Sequence, residues 1–165
     1  MAAPGSQANV QWGFKIGDAA TLLTIGGTAV GFVNGAITVR VPRTVASLRA
    51  DMYAMPIDTT VTTKDAFIAF TMAEVLGGNL AAAWGSGAYA GSSVVVATTD
   101  AGQVAVIIVT RGPDGATTTV TMTKATSMGD GTWTLPFSAA QTIAAEFQGS
   151  VAVAATGEIL KVVHS

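Results

Sequence analysis

Apolar and polar residues alternate with a period of two along much of this chain, and the alternation breaks at glycine, proline and Asn-Gly or Asp-Gly positions. From Ala20 to Val41 two apolar stretches, TLLTI and AITVRV, are separated by Gly26, Gly27, Gly31 and the Asn34-Gly35 pair, which predicts strands joined by tight turns. In the second stretch Ile37, Val39 and Val41 share one face and Thr38 and Arg40 the other, the pattern of a half-buried strand, until Pro42 interrupts it. Between Arg43 and Met55, Leu48 and Met52 fall on one side and Ser47, Arg49 and Asp51 on the other, predicting one buried face and one that is wet or shared with a neighbour. Residues 56–63, PIDTTVTT, combine Pro56 and Asp58 with four threonines and predict an extended loop reaching away from the core as a projecting hairpin. Lys64 to Met72 returns to strand character, with Ala66, Ile68, Phe70 and Met72 on one face.

The period then changes. Leu76, Leu80 and Trp84 follow at helical spacing, and Thr71 and Glu74 form a T-x-x-E capping pattern, so one short helix is expected over about 73–84, weakened by Gly77 and Gly78 and stopped by Gly85. Beyond a glycine-rich link, Gly85 to Gly91, SSVVVATT, QVAVIIVTR and TTTVTMTK are joined by turn residues and predict a β-meander. Its middle strand is apolar on both faces and should be covered on both sides, whereas Val120 and Met122 alternate with threonines. The Gly129-Asp130-Gly131 turn leads into Trp133 to Phe137. SAAQTIAAEFQG fits a helix or a strand, and the strand, with Ile143, Ala145 and Phe147 together, is the preferred reading. VAVAA and EILKVV close the chain as a last hairpin or paired strands. Residues 1–11, small and polar around Pro4 and Gly5, read as a terminal arm that orders against a partner, leaving 12–165 as one domain.

Composition changes the picture in one respect. Only 11% of the 165 residues are charged, where a soluble domain has about 25%, and half are apolar. Such a chain has too little charge to cover its surface, which argues for obligate assembly over an unusually neutral monomer. The net charge of −2 is unlike that of a protein that grips phosphate backbones, although it permits passive contact with DNA. The longest purely apolar run, Val104 to Val109, is too short to cross a bilayer, and the N-terminus lacks a basic patch followed by an apolar core, so neither a membrane anchor nor a signal is expected.

Candidate chemistry is sparse. With no cysteine there is no disulfide, thiolate zinc site or cysteine nucleophile, and a reducing cytoplasm would suit the chain. The one histidine, His164, is penultimate, where disorder is common and no supporting shell is expected. Asp51, Asp58 and Asp65 lack the spacing of a calcium loop, while Asp114 and Asp130 sit beside glycine where turns favour Asp for backbone reasons. Gly85-Ser86-Gly87 lacks the rest of a nucleotide loop, and Ser92 and Ser93 have no nucleophile elbow. No catalytic residue, cofactor or metal site is expected, and the protein is read as a non-enzyme. Arg40, Arg43 and Arg49 are the densest basic feature and are better suited to pairing with acids across a subunit boundary than to nucleic acid. Trp12, Trp84 and Trp133 read as core or interface fillers.

Two segments carry a family resemblance. The order GFVNGAITVRV, RADMYAMPIDT, TTKDAFIAFTMAEVLGGNLAAAWG, with a lysine-acid pair, an alternating strand, a T-x-A-E junction and a short helix ending in an aromatic residue and glycine, resembles the tail tube (major tail) proteins of tailed bacteriophages. TIAAEFQGSVAVAATGEILKVV is similar to that family's closing strands. The resemblance implies an antiparallel β-sandwich or half-barrel with one flanking helix. It further implies homohexameric rings stacked into a hollow tube for genome delivery, located in the virion after synthesis in the host cytoplasm. The implied partners are other copies of the chain and other tail proteins: an initiator or baseplate, a terminator, a tape measure or a sheath. On that basis Pro56, Ile57, Asp58, Thr59, Thr60 and Val61 are candidates for a ring-stacking loop, and Ser47, Arg49 and Asp51 for a lumen or subunit-interface face. Asp51 and Asp58 would suit a lumen along which DNA slides, whereas Arg49 on the face of Asp51 argues against a uniformly negative wall. The competing readings are a β-sandwich binding module, carbohydrate-binding or adhesin-like, and another tail component such as a terminator.

Overall fold

A computed structural model describes residues 23–48, 58–73, 77–85, 88–90, 93–96, 102–111, 116–128, 131–135 and 141–165. The proposed arm at 1–11, Trp12, Met52 and the residue pairs Pro56-Ile57 and Glu74-Val75 lie outside them. The strands, in chain order, are β1 (Leu23–Ile25), β2 (Thr28–Ala29), β3 (Thr38–Arg40), β4 (Arg43–Leu48), β5 (Asp58–Lys64), β6 (Phe67–Met72), β7 (Ala88–Ala90), β8 (Ser93–Val95), β9 (Val104–Arg111), β10 (Thr117–Ser127), β11 (Thr132–Thr134), β12 (Thr142–Gly149) and β13 (Lys161–His164). A helix, α1 (Gly77–Ala83), lies between β6 and β7. The fold is mainly β and antiparallel with one short helix among the described residues, consistent with a β-sandwich or half-barrel flanked by a helix.

A nine-stranded sheet runs in the order β2-β1-β9-β10-β12-β6-β3, with β11 added on β12 and β13 on β10. The β1–β2 hairpin turns at Gly26 and Gly27, both at positive φ, as a two-residue turn between the paired Ile25 and Thr28 requires. The organising strand is β10. It pairs with β9 from Thr117 to Met122 and again at Ala125, with one extra residue on β10 between the two stretches. That bulge lets both Met122 and Ala125 be fully buried although three positions separate them, and bulges bend the strand that carries them. On its other edge β10 changes partner at the same place, from β13 over Thr118–Thr121 to β12 over Ala125–Ser127.

The core lies on one face of this sheet. Leu23, Ile25, Val106, Ile108 and Met122 meet Ile68, Phe70, Met72, Ile143, Ala145 and Phe147 in one cluster, in which the rings of Phe70 and Phe147 stack with centroids 5.9 Å apart. β6 and β12 have the expected alternation, and the strand reading of 142–149 holds. α1 closes part of the core with Leu80 and Ala83, while the buried Asn79 donates Nδ2–H to the carbonyl of Val30 at 2.8 Å. The helix ends where Gly85, at φ 61°, donates its N–H to the Ala82 carbonyl.

Several expectations are corrected. The helix spans Gly77–Ala83 within the expected 73–84, and Leu76 and Glu74 fall outside the described residues, so the capping pattern has no structural account. The meander is not continuous: β8 pairs with β7, a strand hidden in the glycine-rich link, while β9 takes β1 as its second neighbour. In β9, Val106 and Ile108 are buried and Val104 packs half-buried against the same core, but Ala105, Ile107 and Val109 on the outward face are only half-buried, because that face carries no second layer among the described residues. At the end of the chain VAVAA and EILKVV share only the Val153–Glu158 bridge, and β13 pairs with β10. β3 shows no buried face, since an edge strand with one neighbour has nothing packed across Val39 and Val41.

The C-terminus of α1 is clasped to the β10–β11 connection. Ser127 Oγ donates to the Ala83 carbonyl at 2.6 Å, and Trp84 Nε1 donates to the Gly131 carbonyl at 2.6 Å. A methyl group on Gly131 would lie 2.7 Å from the Ala83 carbonyl oxygen, a backbone atom that cannot swing aside. Gly131→Ala should therefore destabilise the fold by about 1–3 kcal/mol, as overpacking does. Urea unfolding should show a lower midpoint with an unchanged slope.

Candidate assembly surface

Pro42 has no N–H to give a ladder, yet its carbonyl accepts the N–H of Asp65 at 3.1 Å. This bond carries the pairing of β3 and β6 into that of β4 and β5. Thr38 faces Ala69, Arg40 faces Phe67, and Arg43 faces Lys64 in one unbroken register. Residues 38–48 and 58–72 thus form one long hairpin. Its inner half belongs to the large sheet and its outer half, β4–β5, is a separate two-stranded ladder. The register slips by one residue between Thr44 and Val45, where Thr62 Oγ1 donates to the Thr44 carbonyl.

Burial stops where the outer half begins. Ala66 is buried, whereas all six residues of β4 and all seven of β5 are exposed, Leu48 to 65% and Val45 to 50%. β4 and β5 make their contacts chiefly with each other. The expected buried face at Leu48 is therefore absent among the described residues, because the strand leaves the large sheet and no described layer covers it. At about 3.3 Å per residue the paired part of this arm extends on the order of 17–20 Å. A two-stranded ribbon with both faces in water is marginal by itself, and fully burying a Val or Leu side chain is worth about 1.5–3 kcal/mol. Among the described residues the arm is hydrogen-bonded but not packed.

The site residues predicted from sequence fall on this arm or beyond the described chain. Asp58, Thr59, Thr60 and Val61 are strand residues of β5 rather than loop, and Pro56 and Ile57 lie outside the described residues. Ser47 is exposed on β4 directly opposite Thr59, so the two candidate surfaces are adjoining strands of one hairpin. Arg49 and Asp51 lie outside the described residues.

Charge is arranged unevenly. At the root, Arg43 stands directly opposite Lys64, a like-charge pair that opposes the hairpin. Neither forms an ion pair with a described residue. At the far end Asp58 accepts the N–H of Thr59 and faces Leu48. Arg40 behaves differently: its guanidinium pairs with Glu146 and lies 4.0 Å from the centre of the Phe67 ring. This arginine, expected at a subunit boundary, is committed within the chain by register, which sets it opposite Phe67 and diagonal to Glu146 across β6. Sequence reasoning had no means of finding Glu146 106 positions away. Beside this pair a shallow trough of about 330 Å³ runs between Ala36, Thr38, Ala69, Thr71, Ala144 and Glu146 on the sheet face opposite the core.

The remaining candidates have structural roles. His164 is held in β13, where its Nδ1 lies 2.8 Å from Thr118 Oγ1, so strand pairing supplies the support that its penultimate position seemed to deny. Trp84 and Trp133 pack against each other at 6.3 Å, and Trp133 Nε1 is buried with no hydrogen-bond partner in the described structure. Among the described residues no group of three or more His, Asp or Glu side chains is placed to hold a metal ion, and no helix is long and apolar enough to cross a membrane.

Arg40→Ala removes a half-exposed ion pair and a cation–π contact together. It should cost about 1 kcal/mol in urea unfolding, and the part owed to Glu146 should shrink in high salt. A scan against protein-family models finds no match to this chain, and a search of the curated proteins finds none either.

Proposed function

We propose that this chain is a structural subunit that assembles with copies of itself, in the manner of a tail tube protein whose hexameric rings stack around a channel for genome delivery. The observation that carries the reading is the β4–β5 arm, a hydrogen-bonded ribbon in which every residue is exposed and whose contacts among the described elements are chiefly between its own two strands. Natural proteins guard exposed strands with charge, bulges or short length. Here the guards are one bulge and three charges, Arg43, Asp58 and Lys64, set among threonines and apolar residues. An arm so lightly protected gains stability when a neighbour covers Val45, Leu48 and Val61, and the 11% charged fraction of the chain agrees with surface meant to be hidden. The ring and tube geometry is supported by the resemblance of the strand-to-helix segment.

Negative-stain electron microscopy of the purified protein at high concentration, with mass by light scattering, tests this reading; rings or hollow tubes are expected. Replacing residues 44–63 by an Asn-Gly turn would close the hairpin between the paired Arg43 and Lys64 and leave the core intact. That variant should keep its melting temperature within a few degrees and lose assembly. Assembly that survives the deletion would remove the arm from the argument. A persistent monomer from the full chain would favour the binding-module reading.

A further inference from the structure

The residue inserted in β5 gives the arm two faces of opposite charge. Arg43 stands opposite Lys64 at the root and Leu48 opposite Asp58 at the outer end, and β4 alternates regularly between them, so the two pairs point to opposite sides of the ribbon. Thr62 is left out of the pairing and bonds instead to the Thr44 carbonyl, and this one extra residue turns Asp58 away from the side of Lys64. The cations share their side with Val45 and Val61. The same register carries that side inward past Pro42 to Val41, level with the buried Ala66, and to Val39, opposite the buried Ile68. It is the core face of the large sheet continued beyond its cover, and its four valines are between 39% and 54% exposed. We propose that the cationic, valine-flanked root of each arm is the seat for the outer end of the arm of a second copy, with the incoming Asp58 placed between Arg43 and Lys64 and the incoming Leu48 against the valines.

This proposal rests on the assembly proposed above and names the contact that builds it. Charge is complementary between the two ends of the arm. Arg43 and Lys64 face each other with no ion pair to a described acid, so an incoming carboxylate relieves a repulsion built into the root. Asp58 makes only a local bond to the Thr59 N–H among the described residues and keeps an oxygen for that purpose. Apolar surface is complementary too, because Leu48, 65% exposed, sits directly across the ribbon from Asp58 and enters with it. The placement on opposite faces makes the contact one-way. Two copies laid face to face cannot exchange Asp58 for Lys64 reciprocally, since each would need both groups on one face. An arm can instead give its outer end to one neighbour and receive another neighbour's at its root at the same time, which is the heterologous contact that closes rings.

The chain has no cysteine, so Thr60→Cys, on the face of Asp58, and Val41→Cys, on the face of the cations, each introduce a single thiol. Mixed at low concentration, brought to assembly and treated with a bis-maleimide spanning about 10 Å, the separation of packed sheets, the two variants should cross-link to each other, and neither should cross-link to itself to more than about a tenth of that yield. Adding Asp58→Lys to both variants should lower the yield about tenfold, as should Arg43→Glu with Lys64→Glu. All three charge changes together restore opposite charges across the contact and should recover most of the yield. Circular dichroism matching the parent excludes unfolding as the cause of a loss. Self-cross-linking as strong as mixed cross-linking, or a yield indifferent to the charges, would overturn this contact. Rings or tubes seen by microscopy alongside either result would leave the proposed function standing, whereas a parent chain that stays monomeric would overturn both.

Discussion

The bulge in β10 between Met122 and Ala125 sets the shape of the described sheet. One extra residue restores to the core a strand that would otherwise turn Ala125 outward, and it does so where the far edge of β10 passes from β13 to β12. Were the strand regular, the Leu23–Met122 half of the core and the Ile68–Phe147 half would sit on opposite faces of β10, and a single cluster could not form. Gly149 answers this bulge on the neighbouring strand. It pairs with Ala125, and a methyl group there would come within 2.7 Å of Ile159 and 3.1 Å of the Met122 sulfur.

At the other end of the sheet, hydrogen bonding and burial separate. From Thr38 to Leu48 and back from Asp58 to Met72 the ladder keeps its partners, while burial ends at Ala66. The inner half is held by the core beneath Ile68, Phe70 and Met72 and by Arg40 clasping Glu146 over Phe67. Among the described residues the outer half is held chiefly by its own main chain. Net stabilisation from a hydrogen bond exchanged with water is about 1 kcal/mol, comparable to the entropy of fixing one residue, so such a ladder is near balance until side chains are covered. This makes the arm responsive to a neighbour in a way that the rest of the sheet is not.

Legibility in the sequence followed the same boundary. β6 and β12 were readable because their alternation is driven by burial on one face, which is what hydrophobic periodicity records. β3 and β4 alternate in sequence too, but their apolar residues are exposed within the chain, so periodicity gave the strands and not their burial. The continuity of the long hairpin through Pro42, the β7–β8 pair and the bulge in β10 are matters of register between distant strands, to which a single sequence gives no access. Of the candidate site, the threonine-rich stretch was visible as something that leaves the core, whereas its facing strand and the Arg43–Lys64 opposition became visible only once the ladder was known.

The arm has two outer edges and two faces, and they suit different symmetries. A strand paired with its own copy makes an isologous contact, which saturates at two chains. Rings and tubes need heterologous contacts, and the arm presents two different faces: Val45 stands opposite Val61 on one, and Leu48, three positions further along β4, falls on the other.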